Sequence, residues 1–589
     1  MPFTTFNHFL KEIPVNKVLP VLLAAALCLP AAPQAATVYP LNNAEILSGG
    51  LFDIKVEFDS RLPDADSARL TINGKDAGEV LGKKPQFVTD EDGKGSALLI
   101  RDARLPAGTY TVEAKGGNES QNVTWTVYAT GKPQAKNVIL LIADGLSVGH
   151  RTAARLLSKG MTEGKYNGRL AMDDMPHLAF VGTGSVDSIA ADSANTMSAY
   201  TTGHKSSVNA IGVYADRTPD PFDDPKQETL GEILRRTGKK SLGVVSDAEV
   251  EDATPAAVVA HTRKRAEKAA IVEMFHKVKP DVLLGGGAAY FLPKSVPGSK
   301  RKDDIDYIRK FKDDGYVLAT SNKELQALPK DANRVLGLFH PGNMDGALDR
   351  KFLKKGTVSK FPDQPDLTDM ARTALDVLSR NPEGFVLVLE AGLVDKYSHP
   401  LDWERSVYDT IMFDKVVAMA REFCATHPDT LLVVTGDHTH SISVAGTVDD
   451  RLPGTEMREK VGTYGKAGYP LYEDKDGDGY PDSVNPPKRL AVFFGATPDY
   501  YETFAPKLDN PFVPAVKDEN GRYVANAAYK DAPGAEFRPG VLPRDEAQGV
   551  HTVDDLLLHA QGPTAENFHG YLENTEIFKL MAKALGLGR

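Results

Sequence analysis

From Thr37 to about Thr130 apolar and polar residues alternate one for one. Phe52, Ile54, Val56 and Phe58 are separated by Asp53, Lys55 and Glu57, and the alternation returns at Tyr110, Val112 and Ala114 and at Val123, Trp125 and Val127. A repeat of two sends successive side chains to opposite faces, so these runs predict strands with one apolar face each. Asn73-Gly74 stands where a two-residue hairpin turn needs positive φ. An all-β sandwich is expected over 37–130, joined by Gly131-Lys132-Pro133-Gln134 to the rest of the chain.

After residue 136 the texture changes. Apolar runs of strand length, NVILLIADG (137–145), KSLGVVS (240–246), KPDVLLGGG (279–287), FVLVLEAG (385–392) and TLLVVTG (430–436), alternate with helical stretches such as TLGEILRRTG (229–238) and AEKAAIVEMFHKV (266–278). Strands alternating with helices predict an α/β domain over 136–589, a mostly parallel sheet with helices on both faces. Residues 445–548, rich in Gly, Pro, Tyr and Asp, break the alternation and read as an insertion carried over the crevice at the sheet's edge. In the N-terminal part, LPAGTYTVEA (105–114) resembles the late strand of immunoglobulin-like modules, a similarity of pattern without catalytic groups.

Composition narrows the classes. With 589 residues, 41% hydrophobic and 25% charged, the chain exceeds one compact core, and two or three domains are expected. A net charge of -11 gives no basic field to attract nucleic acid or anionic lipid. Lys11 and Lys17, the apolar run Val18–Leu29 and the small residues of PAAPQAA predict a cleavable secretory signal over 1–36, cut near Ala35 or Ala36, and hence a periplasmic or extracellular protein. No later segment is apolar and long enough to span a membrane. Cys28 would leave with the signal, so Cys424 is the single mature thiol and no intrachain disulfide is expected. Cys424 reads as a buried helical residue, because REFCATHP offers it no partner beyond His427.

The strand ends carry the candidate chemistry. In open α/β sheets ligands bind beyond the carboxyl ends of strands, and three of these runs end in Asp144, in Glu390 through His399, and in Asp437 and His438. Asp192-Ser193-Ala194 opens a helix of small residues; Ser193 there reads either as a plain cap or as a nucleophile beside unpaired backbone amides. Its company bears on the choice. ADG (143–145), DSA (192–194), EDATPAAVVAHTRKR (251–265), DVLLGGG (281–287), EAGLVDKYSH (390–399), GDHTH (436–440) and GVHT (549–552) occur in this order, and with them the chain resembles alkaline phosphatases from about 136 to its C-terminus.

That resemblance implies an alkaline-phosphatase-like fold, a centre of two Zn2+ and one Mg2+, and hydrolysis of small phosphate monoesters through a phosphoserine at Ser193. One zinc would be held by Asp395, His399 and His551, the other by Asp144, Asp437 and His438. Magnesium would take Asp144, Asp252, Thr254 and Glu390. Imidazole with carboxylate suits zinc, and carboxylates with a hydroxyl suit magnesium. Where other members carry histidines this chain has Asp252 and Lys396, and the added carboxylate favours the harder ion. Arg265 would clamp phosphate, with Arg263 and Lys264 as competing readings in the same basic run; Lys396 would help hold phosphate, or be a lysine that merely follows a ligand. The resemblance also implies a homodimer.

Among the other histidines, His440 is expected near the Asp144, Asp437 and His438 zinc, His261 as support for a helix, and His150, His204 and His569 as structural or surface residues. In the insertion, Asp474, Asp476, Asp478 and Asp482 with Gly479 resemble the opening of a Ca2+ loop, although the twelfth position is Asn485; a plain acidic turn is the other reading. A phosphodiesterase or sulfatase on the same scaffold is a different reading of the enzyme, but the C-x-P-x-R pattern of sulfatases is absent. A secreted binding protein with an inactive catalytic domain is a reading of another class, and every expected catalytic position is occupied.

Overall fold

Ten strands make one sheet at the centre of the larger part of the chain: β1 (Asn137–Ala143), β2 (His177–Gly182), β3 (Ser241–Glu249), β4 (Val282–Gly286), β5 (Val317–Ala319), β6 (Val335–Leu338), β7 (Phe385–Ala391), β8 (Thr430–Thr435), β9 (Leu556–Gln561) and β10 (Gly570–Glu573). Their spatial order is β5-β6-β4-β3-β7-β1-β8-β9-β2-β10. All neighbours run parallel except β9, which is antiparallel to both β8 and β2. The structure is a computed structural model that describes residues 36–452, 456 and 461–588; the expected signal lies, but for Ala36, outside the described residues. Among the described residues no helix is long and apolar enough to cross a membrane.

The unbroken apolar runs follow from burial on both faces. Val138, Leu140 and Ile142 of β1 pack with α2 (Ser193–Thr202), α3 (Leu230–Thr237), α4 (Lys268–Val278) and α8 (Asn574–Leu585) through Tyr200, Ile233, Phe275 and Phe578. The alternate residues Ile139, Leu141 and Ala143 pack with α1 (Val148–Lys159), α5 (Leu367–Leu378) and α7 (Trp403–Thr426) through Leu157, Met370 and Ile411. Each β1 side chain thus removes apolar area from water, worth roughly 1.5–3 kcal/mol for a fully buried Val, Leu or Ile. Cys424 lies buried on α7, where burial pushes its thiol up to about 11, as suits an inert packing residue.

Within 445–548 the alternation gives way to antiparallel ribbons. Ile442–Asp449 pairs with Lys488–Phe494, Tyr500–Glu502 with Glu536–Arg538, and Ala515–Lys517 with Tyr523–Ala525.

The chain forms two compact units. The smaller takes the described residues up to Asn42 with Lys55–Ile100 and Thr111–Thr124; the larger takes Asn43–Ile54, Arg101–Tyr110 and everything from Trp125. In the smaller unit Thr37, Val38 and Tyr39 pair antiparallel with Glu57, Val56 and Lys55, and Ala68–Ile72 with 112–116. Asn73 and Gly74, at φ 50° and 77°, close the hairpin between Ile72 and Lys75. The strand Phe52–Glu57 departs from simple alternation, since its polar residues are buried too. Ion pairing accounts for this: Lys55 Nζ lies 2.8 Å from Glu91 and 3.4 Å from Glu57, while in the larger unit Asp53 accepts from Arg101 at 2.6 Å and from the Lys226 amide at 3.0 Å.

His261 supports α3. Its Nδ1 donates to the Gly212 carbonyl at 2.8 Å, and its Nε2 lies 2.8 Å from the Glu232 carboxylate that closes the capping box with Thr229. Because Nδ1 is spent on a carbonyl, Nε2 can donate to Glu232 only from the protonated ring. Burial alone would lower the His261 pKa, but the Glu232 carboxylate outweighs it and the pKa is raised. A raised folded-state pKa gives stability that is full below the unfolded value of about 6.5 and is lost as pH rises through the folded value. Replacing His261→Asn is therefore expected to lower the thermal midpoint more at about pH 6 than at about pH 9, and equal deficits at the two pH values would contradict the ion pair.

Candidate active site

Parallel packing brings the ends of β3, β7, β1 and β8 side by side, in register from Ser246 and Ile142 opposite Glu390 to Thr435 opposite Ile142. Asp144 follows β1, and its amide donates to Ala391 at the end of β7 (3.2 Å). Gly436, Asp437 and His438 follow β8, where the Gly436 carbonyl accepts from the buried Tyr200 hydroxyl (2.9 Å) and Asp437 Oδ1 accepts from Gly145 N (3.0 Å) and His438 N (2.9 Å). A short helix, α6 (Leu393–Ser398), continues from β7 and carries Asp395 and Lys396, with His399 at its C-terminal end. Spacing of four places Asp395 and His399 on the same helical face.

Two trios of ligand atoms result. In the first, His399 Nε2 and His551 Nε2 each lie 3.3 Å from Asp395 Oδ1 and 3.1 Å from one another. His399 Nδ1 donates to the Gly549 carbonyl (2.7 Å) and His551 Nδ1 to the Ala191 carbonyl (2.8 Å). A carbonyl only accepts, so each ring, when neutral, carries its proton on Nδ1 and turns an Nε2 lone pair toward the other; burial works against charge on His399, but the Asp395 carboxylate outweighs it and the raised pKa favours a ring protonated on Nε2 as well. Only a cation or a shared proton relieves that opposition. In the second trio Asp144, Asp437 and His438 offer atoms within 4.8 Å of one another, with His438 Nε2 3.0 Å from Asp144 Oδ1. Burial, and then Asp144, push the Asp437 carboxyl well above its usual range. Its buried Oδ2 accepts no hydrogen bond. A carboxylate held against another carboxylate in a buried site, with an oxygen unsatisfied, fits a divalent cation.

Ser193 is the first residue of α2, capped by Asp192, whose Oδ1 accepts from Asn195 N (3.2 Å). Its hydroxyl lies 3.2 Å from His438 Nε2 and 3.3 Å from Asp144 Oδ2, against the second trio.

Arg265 reaches the same place. Nη2 donates to Asp252 Oδ1 at 2.9 Å and Nη1 to Asp192 Oδ2 at 3.3 Å, while Arg263 lies 3.8 Å from Asp216 and 3.9 Å from Asp224, so the two arginines of the basic run face different carboxylates. Lys396 Nζ bridges Asp252 Oδ2 (3.0 Å) and Asp395 Oδ2 (3.2 Å), so it is no bystander to the ligands. Burial works against the Lys396 charge, but Asp252 and then Asp395 hold its pKa well above the ordinary lysine value.

The third set is looser. Asp252 gives its oxygens to Arg265 and Lys396, and among the described residues it belongs to no cluster of three or more acidic, His or Cys side chains with atoms within 4.8 Å of one another. Glu390 accepts from the Ser246 hydroxyl, and burial followed by Asp144 raises its pKa well above the usual value. Thr254 Oγ1 is buried without a hydrogen-bond partner. An unsatisfied hydroxyl and a raised carboxyl leave room for a hard cation here.

His440 stands between the two trios: its ring offers an atom within 4.8 Å of those of His438, His551 and Asp395, as expected of a neighbour of His438, but its hydrogen bond goes to the first trio, with Nε2 2.6 Å from Asp395 Oδ1. Burial holds its pKa well below the usual value, so the neutral ring donates to Asp395. Two other residues take roles not assigned to them from the sequence: Asp192, within DSA, orients Arg265, and Ser246 engages Glu390. For Ser246 a signal existed, because an apolar strand ends there in two polar residues. His150 and His204 are internal, bonded to Ser398 (2.9 Å) and Tyr214 (3.0 Å), and His569 is exposed.

Asp474, Asp476 and Asp478 gather oxygens within 4.8 Å, each accepting a backbone amide of its own loop. Asp482 accepts from Lys475 N at 3.0 Å instead of joining them.

Comparison with known proteins identifies the family and the fold. Residues 135–505 match the alkaline phosphatase family. The chain is 28% identical over 496 residues to alkaline phosphatase from Gadus morhua, covering 78% of this chain and 93% of that one. It is 27% identical over 489 residues to the tissue-nonspecific alkaline phosphatase isozyme of Homo sapiens, covering 77% and 84%. In fold it resembles the alkaline phosphatase of Thermus thermophilus, with a TM-score of 0.55 at 23% identity, covering 78% of this chain and 93% of the other.

If the trios are cation cradles, a chelator should lower the thermal midpoint and zinc should restore it. A site filled at about 100 times its Kd adds about 2.7 kcal/mol. A midpoint indifferent to both additions would contradict the cradles.

Proposed function

Since the chain belongs to the alkaline phosphatase family and is a phosphoester hydrolase, we propose that it acts on phosphate monoesters through a phosphoserine at Ser193, with two zinc ions and one magnesium ion. The observation that carries the proposal is the Ser193 hydroxyl on the first turn of α2, within 3.4 Å of Asp144 and His438, with Arg265 paired to the preceding Asp192. Asp395, His399 and His551 would hold one zinc; Asp144, Asp437 and His438 the other; and Asp144, Asp252, Thr254 and Glu390 the magnesium. When bound, these cations supply Lewis acidity, which favours the serine alkoxide and offsets charge on the leaving oxygen.

The chain's own groups do the rest. Ser193 Oγ forms the new bond to phosphorus on one side while the bond to the ester oxygen breaks on the other, toward Asp395, His399 and His551, and the proton that Ser193 gives up is balanced by the one the departing oxygen takes to leave as an alcohol. Arg265 pairs its two Nη groups with two non-bridging oxygens, and Asp192 and Asp252 fix the plane of its guanidinium. Lys396 adds a second positive charge beside a dianionic group. Water then attacks phosphorus, the Ser193 Oγ–P bond breaks, and inorganic phosphate leaves with the serine regenerated. Two cationic side chains facing one phosphoryl group favour a dianionic monoester over a diester, whose second substituent carries no charge to match them.

We further place the enzyme outside the cytoplasm, from the signal pattern in residues 1–36; a mature N-terminus upstream of that pattern would remove this reading. We also infer a homodimer. The apolar residues Leu178, Phe180 and Tyr571 are exposed on β2 and β10, with Phe180 and Tyr571 in register. A monomeric mass by light scattering would count against it.

Ser193→Ala is expected to lower kcat on the order of 10³-fold or more, measured with an aryl phosphate, and near-full turnover would contradict the covalent route. Arg265→Ala should cost about 10–100-fold in kcat/KM, from the loss of charge-assisted hydrogen bonds. Turnover of a bis-aryl phosphate at a rate matching the aryl phosphate would favour a diesterase.

A further inference from the structure

The end of β3 presents Ser246 and Asp247 behind the ligands. Ser246 donates to Glu390, and Asp247, 3% exposed, uses Oδ1 to accept from Gly392 N at 2.7 Å and Leu393 N at 3.2 Å. Those two amides form the junction through which β7 enters α6. The junction sits hard against β3: a Cβ on Gly392 would come within 2.8 Å of the Ala248 side chain and 3.1 Å of Glu390. The Asp247 carbonyl accepts in turn from Met344 N at 3.0 Å, and the residues after Met344 are tied to α6 and α7 through Gly346 N to the Tyr397 hydroxyl (3.1 Å) and Ala347 N to Asp409 (2.9 Å).

Only six residues long, α6 is far too short to hold its direction by its own hydrogen bonds. Asp395 and His399 share one of its faces, so an error at its entry displaces both together.

We propose that Asp247 is a positioning residue for the metal centre: by fixing the entry of α6 through one carboxylate oxygen, it sets where Asp395 and His399 meet His551 and so determines affinity for the cation held there. This rests on Asp395 and His399 being ligands. A carboxylate that accepts two adjacent amides is also poorly replaced by water in so buried a site, so no alternative acceptor stands ready.

The test uses the full chain as wild type, Asp247→Ala, Asp247→Asn and Asp247→Glu, each stripped of metal and titrated with zinc against a chromophoric chelator. Thermal midpoints of the metal-free proteins are recorded alongside. Alanine, which lacks the acceptor, and glutamate, which keeps the charge but moves the oxygen, should each weaken one of two zinc sites by roughly 10–100-fold. Asparagine keeps an acceptor oxygen in place and should stay within roughly threefold of wild type. A purely structural role would lower the metal-free midpoint and leave zinc affinity unchanged. Wild-type zinc affinity in Asp247→Ala, or in Asp247→Glu should the alanine protein fail to fold, would overturn the inference, as would equal losses in the asparagine and alanine proteins. Failure of the wild type itself to bind zinc would instead sink the ligand assignment beneath it.

Discussion

Two imidazole nitrogens 3.1 Å apart, which oppose lone pairs unless a proton or a cation stands between them because both Nδ1 atoms donate to carbonyls, set the constraint to which the catalytic domain is built. Nearby, Asp144 and Asp437 sit close together in a buried site, and Asp437 leaves an oxygen unsatisfied. Neither arrangement is tolerable in a buried site without positive charge between the groups. The protein supplies some of that charge itself through Lys396 and Arg265, but it spends both on Asp252, Asp192 and the outer oxygen of Asp395. The arrangement that remains is one that divalent cations would relieve.

The fold explains how such uncomfortable neighbours are held. Four adjacent parallel strands, β3, β7, β1 and β8, end side by side, and their backbones are locked by the hydrophobic layers on both faces. Strain at the strand ends is small beside the burial that fixes each strand, so carboxylates can be kept in a geometry they would escape if carried on loops. His551 comes from outside this row, after the insertion, and its Nδ1 hydrogen bond to Ala191, two residues before Ser193, links the first trio to the nucleophile's helix.

Much of this was legible in the sequence because burial on both faces leaves unbroken apolar runs, and the polar residues that end such runs stand out. The three runs ending in Asp144, Glu390 and Asp437 pointed to one sheet edge, and the order of motifs pointed to the family. What escaped were residues whose role depends on cross-chain distance. His440 is two residues from His438 yet serves Asp395, because a two-residue step in an extended turn changes the neighbour. Nor did the motif around Asp252 reveal that its two oxygens also meet Arg265 and Lys396. Alternation in Phe52–Glu57 suggested one wet face, whereas ion pairs let Asp53 and Lys55 be buried. Periodicity reports polarity, and a paired charge is polar in sequence while dry in the fold.

The central claim is that six side chains from four places along the chain form two cradles beside one hydroxyl. Anomalous diffraction at the zinc edge from crystals of the protein grown with zinc tests it most directly. Two strong peaks are predicted, one among Asp395, His399 and His551 and one among Asp144, Asp437 and His438, with Ser193 beside the second. Peaks elsewhere, or none at these positions with zinc in excess, would contradict the account.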